Sequence, residues 1–136
     1  MPVRFLLDTN ICIYIAKYNP PAVRERFERL TTEELAMSAI TLGELRYGAE
    51  KSQSPRKASA AIEQLTNAIQ VIPIDDAVAQ QYGKIRAKLE QVGQMIGNSD
   101  LWIAAHAKAE RWILVTSNER EFKRVAGLKI ENWAKP

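Results

Sequence analysis

Cysteine and histidine each occur once, as Cys12 and His106, and that scarcity removes whole classes of chemistry. A lone thiol closes no internal disulfide, and without a second cysteine there is no thiolate cage for zinc, so a reducing cytoplasm is the expected setting. No apolar run approaches the ~18 residues that a bilayer crossing takes. The stretch from Met1 to Asp8 is too short, and reaches an acid too soon, for a secretory signal. No membrane role is expected. The six glycines form no phosphate-cradling loop of Walker type. No serine, cysteine or histidine stands in a pattern that pairs a nucleophile with a base.

What remains is ordinary globular material. With 136 residues, 46% of them hydrophobic and 26% charged, residues 1–136 are expected to form a single domain around a real core. Nineteen Lys and Arg against sixteen Asp and Glu give a net charge of +3, which permits an acidic partner such as nucleic acid without requiring one.

Short apolar runs alternate with helical periodicity along the chain. Val3 to Leu7 reads as a strand that stops at Asp8-Thr9-Asn10, where small polar groups can cap a helix through ICIYIAKY. Pro20-Pro21 open a second helix, AVRERFERL. Leu35 to Ala39 is a second strand, followed by a helix beginning at Thr41, and Ser54-Pro55 restarts the chain into another. Val71 to Ile74 is a third strand. Asp75 then caps a long amphipathic helix with Val78, Tyr82, Ile85, Leu89 and Val92 on one face. Gly93 to Gly97 breaks it, Asn98-Ser99 can cap DLWIAAHAKAE, and Trp112 to Thr116 is the fourth strand. A short helix around Glu121-Phe122 and an extended piece at Lys129-Ile130 complete the pattern. Strands alternating with helices predict an α/β fold in three layers, α/β/α, around a mostly parallel sheet of four to five strands.

In such a sheet, ligands sit beyond the carboxyl ends of the strands. Asp8 leaves strand one, Glu44 follows strand two, Asp100 opens the helix before strand four, and Asn118 follows strand four. Each position also suits helix capping: Asp8 as an N-cap, Thr41 with Glu44 as a capping box, Asp100 at a positive helix end. Convergence decides between the readings. Carboxylates about 4 Å apart repel by on the order of 4 kcal/mol per pair at an effective dielectric near 20, more than a cap worth ~1 kcal/mol offsets. Either the acids do not meet or a cation sits among them. An all-oxygen site suits Mg²⁺, with Mn²⁺ as substitute, and disfavours zinc. His106 lies six residues past Asp100, roughly 120° around a helix and off the face of the acid, and is expected as a partly buried or surface residue. An acid cluster holding such an ion can activate water against a phosphodiester, which is nuclease chemistry.

The motifs LDTNICIYI (Leu7 to Ile15), SAITLGELRYGAEKS (Ser38 to Ser52), IGNSDLWIAAHA (Ile96 to Ala107) and LVTSNEREFKRVAGLKIENW (Leu114 to Trp133) together resemble the VapC family of PIN-domain toxins, from end to end of the chain. The resemblance implies a PIN-like fold and a Mg²⁺-dependent endoribonuclease that inhibits translation. In the branch this sequence looks most like, the RNA is initiator tRNA cut in its anticodon loop. It also implies neutralisation by a VapB-type antitoxin, a homodimer built into a heterotetramer or larger complex, and DNA contact only through the antitoxin. The family's acids correspond to Asp8, Glu44 and Asp100 as catalytic and metal-binding residues. The place of a fourth acid holds Asn118, with Glu121 nearby to supply the charge. Arg46, Arg120 and Arg124, near the same edge, are the expected RNA phosphate contacts. Trp102, Trp112 and Trp133 are expected in core or interface, and Cys12 in the core. Three competitors stand beside this reading. One is a PIN-like RNA-processing nuclease without a toxin role. Another is a receiver- or phosphatase-like domain phosphorylated on Asp8, which would want a second adjacent acid and a late lysine. The last is a PIN-like scaffold without activity.

Overall fold

The computed structural model describes residues 2–135. Five strands form one sheet in the order β3-β2-β1-β4-β5, with every pairing parallel. They are β1 (Phe5–Leu7), β2 (Leu35–Ser38), β3 (Gln70–Ile72), β4 (Ile113–Val115) and β5 (Ile130–Glu131). Between them run α1 (Thr9–Lys17), α2 (Pro21–Glu28), α3 (Ala39–Glu50), α4 (Pro55–Ala68), α5 (Asp76–Gln91), α6 (Asn98–Glu110) and α7 (Glu119–Phe122), with a 3₁₀ turn at Thr32–Glu34.

Strand alternation divides the core into two layers. Phe5, Leu7, Leu35, Met37 and Val115 point to one face, where Ile11, Ile15, Val23, Leu45, Ile62 and Leu65 from α1 to α4 cover them. Leu6, Ala36 and Leu114 point to the other, against Val78, Ile85 and Leu89 of α5 and Leu101, Ile103 and Ala104 of α6. Cys12 is buried in the first layer, and Trp133 closes it edge-on against Phe5 at 5.4 Å. Trp102 and Trp112 are half-buried. This is the three-layer α/β/α architecture expected, with a five-stranded sheet. Among the described residues, no helix is long and apolar enough to cross a membrane.

Several local expectations change. The third helix begins at Ala39, and its cap is Ser38, whose Oγ accepts from the Ile40 N–H at 3.1 Å. Thr41 is therefore a buried first-turn residue, and the capping box with Glu44 does not form. The strand ends one residue sooner than its apolar run suggests, which hands the cap to the serine. Asn98 and Ser99 are inside α6, whose N-cap is Gly97 without a side-chain bond. His106 is fully buried and hydrogen-bonded through Nδ1 to Ser38 Oγ at 2.9 Å. Its helix carries Leu101 and Ile103 to Ala107 buried on nearly every side, because α6 is packed by the sheet, α3 and α5 together. A one-face argument therefore did not apply to it. Asp75 caps α5 as expected, accepting from Val78 N–H at 3.0 Å.

Candidate active site

A parallel sheet sends all its strand exits to one edge, and the acids collect there. Asp8 follows β1 directly and caps α1, with Oδ1 accepting from the Ile11 N–H at 2.9 Å. Its side chain is also hydrogen-bonded by the Thr116 hydroxyl at the end of β4. Capping and site membership thus coexist at one residue. Asp8 is 4% exposed. Burial pushes its pKa up to about 6, and the charge of Glu44 adds to the rise, while the Thr116 and Ile11 bonds pull against it.

Glu44 is half-buried on α3, and its Oε1 accepts from the Thr9 hydroxyl, which lies 3.4 Å from Thr41 Oγ1. Asp100 stands in the first turn of α6. Burial is the main cause that raises its pKa to about 7; next come the charge of Glu121, the charge of Asp8, a hydrogen bond shared with the Glu121 carboxyl, and the charge of Glu44. Glu121 on α7 is steered by Asn118, whose Nδ2 donates to Oε2 at 2.9 Å. The Asn118 N–H in turn donates to Thr116 Oγ1 at 2.9 Å. Both residues considered for the fourth position lie at this edge. Glu121 brings the charge to Asp100, and Asn118 orients Glu121.

Asp8, Glu44, Asp100 and Glu121 come from four separate segments and feel one another electrostatically. Among the described residues, none of the four is in an ion pair. No three of them close into a ready cage for an ion. Mutually repelling carboxyls hold their protons to higher pH, which is the direction in which Asp8 and Asp100 are shifted. The donor set is all oxygen, negative and uncompensated, and this fits a hard divalent ion. It offers no thiolate or imidazole to a soft one, since Cys12 is sealed in the core and His106 is held by Ser38.

Thr9 and Thr116 were not singled out in the sequence. Each fixes an acid from the neighbouring segment, and the available signal was position alone, a threonine one or two residues past a strand end. Of the three arginines expected at the rim, Arg46 donates to Ser59 Oγ at 3.4 Å, and Arg124 ties α7 to the loop before α6 by donating to Met95 O at 2.9 Å. Arg120 is exposed on α7, beside Glu121. For the receiver-like alternative, Asp8 is a poor nucleophile because its carboxylate is buried and held by two bonds.

A three-layer α/β/α domain with carboxylates gathered at the strand exits defines a class, and comparison with known proteins defines the branch. Residues 5–128 match the PIN domain family. The chain is 47% identical over 132 residues to the tRNA(fMet)-specific endonuclease VapC of Shigella flexneri, covering 97% of this chain and 99% of that one. It is similar in structure to the VapC chain of DNA-bound VapBC from Salmonella typhimurium, with a TM-score of 0.91 at 42% identity over 96% of this chain and 98% of that one. The VapBC2 complex of Rickettsia felis bound to a promoter DNA fragment matches with a TM-score of 0.90 at 38% identity, over 96% of this chain and 99% of that one. The chain belongs to the PIN-domain family, in its VapC branch.

Proposed function

We propose that this chain is a divalent-metal-dependent endoribonuclease, the toxin of a VapBC-type pair, that cuts tRNA and so blocks translation in the cytoplasm. The observation that carries the reading is the meeting of Asp8, Glu44, Asp100 and Glu121 at the sheet's carboxyl edge with, among the described residues, no basic side chain paired to them. The relatives named as tRNA(fMet)-specific endonucleases support initiator tRNA as the RNA. The VapBC complexes with promoter DNA support a VapB-type antitoxin as partner and DNA contact through that antitoxin.

Asp8, Asp100 and Glu44 would hold Mg²⁺, or Mn²⁺ in its place, with Glu121 completing the negative set. When bound, such an ion offsets the carboxylate charge, polarises the phosphodiester and makes water easier to deprotonate at neutral pH. The protein's own part is positioning. Thr116 and the Ile11 N–H fix Asp8, Thr9 fixes Glu44, and Asn118 fixes Glu121, so the carboxylates are pre-oriented before RNA arrives. Glu44, oriented by a hydroxyl from another helix, is placed to accept a proton from the attacking water. Water is the nucleophile because the hydroxyls within the cluster, those of Thr9 and Thr116, are engaged in holding Glu44 and Asp8. Arg120, exposed next to Glu121 on α7, would offset phosphate charge at the rim, with Arg46 and Arg124 as further candidates from α3 and the segment after α7.

The test is cleavage of initiator tRNA by the chain freed of antitoxin, in Mg²⁺ or Mn²⁺. Asp100→Asn is expected to lose at least 100-fold, on the order of one removed electrostatic catalytic group, while its circular dichroism is unchanged. Full activity in that variant, or in excess EDTA, overturns the assignment.

A further inference from the structure

At the opposite end of α6 from Asp100 lies a cavity of about 260 Å³ lined by Lys108, Arg111, Trp112, Gly127 and Lys129, among others, and by no acidic side chain. Three cations converge on it, and among the described residues none of them is in an ion pair. Lys108 is held in place, because its ammonium donates to Ala126 O at 2.8 Å. Gly127 turns with φ +77°, and a Cβ there would stand 3.5 Å from the Lys108 ammonium. Arg111 leaves the helix in the left-handed region, φ 61°, and is exposed, as is Lys129. The half-buried Trp112 lines the same cavity.

The bland account is that Lys and Arg suit the negative end of a helix. It covers Lys108 and Arg111. It does not cover Lys129, which arrives on the approach to β5, or the lack of any carboxylate. The contrast is the larger cavity of about 430 Å³ beside α2, where Arg26 and Arg29 face Glu25 and Glu131 and Arg26 is paired with Glu131 at 3.3 Å. Charge there is offset internally, whereas at the end of α6 it is left over.

The helix also sets the distance. From Asp100 to Arg111 the chain rises about 16 Å at ~1.5 Å per residue, so an RNA that reaches both places must extend several nucleotides beyond the cut. We propose that the Lys108–Arg111–Lys129 cavity is a second RNA subsite, which grips backbone phosphates of the duplex flanking the cut loop, with Trp112 as its apolar wall. The inference rests on the ribonuclease reading above and goes beyond it, because it makes the enzyme prefer a folded RNA to a loop alone.

Binding is measured on Asp100→Asn protein freed of antitoxin, so that no RNA is consumed, with labelled initiator tRNA and with a short single-stranded oligonucleotide of its anticodon loop. Arg111→Gln/Lys129→Gln alters two exposed side chains and leaves the core untouched. The double variant is expected to bind tRNA on the order of tenfold more weakly, with a salt dependence shallower by about 1.8 in log–log slope, since each phosphate contact contributes ~0.9. Binding of the oligonucleotide should change less than about twofold. Equal loss on both RNAs, or no loss on tRNA, overturns the subsite, as does a loss confined to antitoxin binding, which would mark the cavity as a protein contact. Wild-type protein that binds tRNA through these residues but never cuts it would instead overturn the nuclease reading and leave the subsite standing.

Discussion

Asp100 concentrates the electrostatic conflict of the site. Its pKa of about 7 and that of Asp8, about 6, both lie well above the ordinary 3.8, so between pH 4 and 7 the folded chain binds more protons than the unfolded one. Stability is then highest toward the low end of that window and is lost as pH rises through the two folded values. For Asp8, nearly fully buried, the shift corresponds to on the order of 2–3 kcal/mol. In EDTA the melting temperature should therefore fall between pH 5 and pH 7.5. Asp100→Asn should flatten the part of that fall nearest pH 7, and Mg²⁺ should raise the melting temperature more at pH 7.5 than at pH 5. A metal-free chain whose melting temperature stays level across the window would contradict the crowding of these carboxyls.

The elements that carry the acids were legible for a topological reason: once the apolar runs at Phe5–Leu7, Leu35–Ser38 and Ile113–Val115 are parallel neighbours, their exits must share an edge. What escaped the sequence was how neighbouring elements finish one another. Glu121 sits on a four-residue helix too short to be stable alone, anchored by the fully buried Phe122 and oriented by Asn118. The short helix and the charge of Glu121 were legible in the sequence; the bond from Asn118 that orients it was not, because no periodicity announces such a contact. His106 escaped because α6 is enclosed on nearly all sides, so angular separation from Asp100 said nothing about burial. That residue now yields a prediction about two elements. Ser38 caps α3, which carries Glu44, and also shares a hydrogen bond with His106 on α6, which carries Asp100. Ser38→Ala should cost about 1–2 kcal/mol through the lost cap and the lost bond. His106→Ala should cost about 2–4 kcal/mol through the cavity it leaves. In a double-mutant cycle followed by urea unfolding, the pair should show a coupling of about 1 kcal/mol. Strict additivity would mean that the bond does not join the helices energetically.

On the scale of the molecule, charge and core are separated. The apolar layers on both faces of the sheet are complete without an ion, so removing metal should leave the fold intact, unlike a zinc finger that unfolds when stripped. The net charge of +3 favours RNA from a distance, yet the strand-exit edge repels it until a cation arrives. Without metal, then, the site opposes its own substrate. In EDTA at about pH 8.5, where Asp100 with its pKa of about 7 is ionised, Asp100→Asn should bind a short RNA more tightly than the wild-type chain. The gain should be about twofold, because one charge roughly 10 Å from a phosphate in water is worth on the order of 0.4 kcal/mol. Saturating Mg²⁺ or Mn²⁺ should reverse the order, because the wild-type site then holds the cation that the variant has weakened. Fluorescence anisotropy with a non-cleavable RNA, read with EDTA and again with the ion, checks both halves. If the wild-type chain binds more tightly in both conditions, the negative edge is not what controls access of RNA to the site.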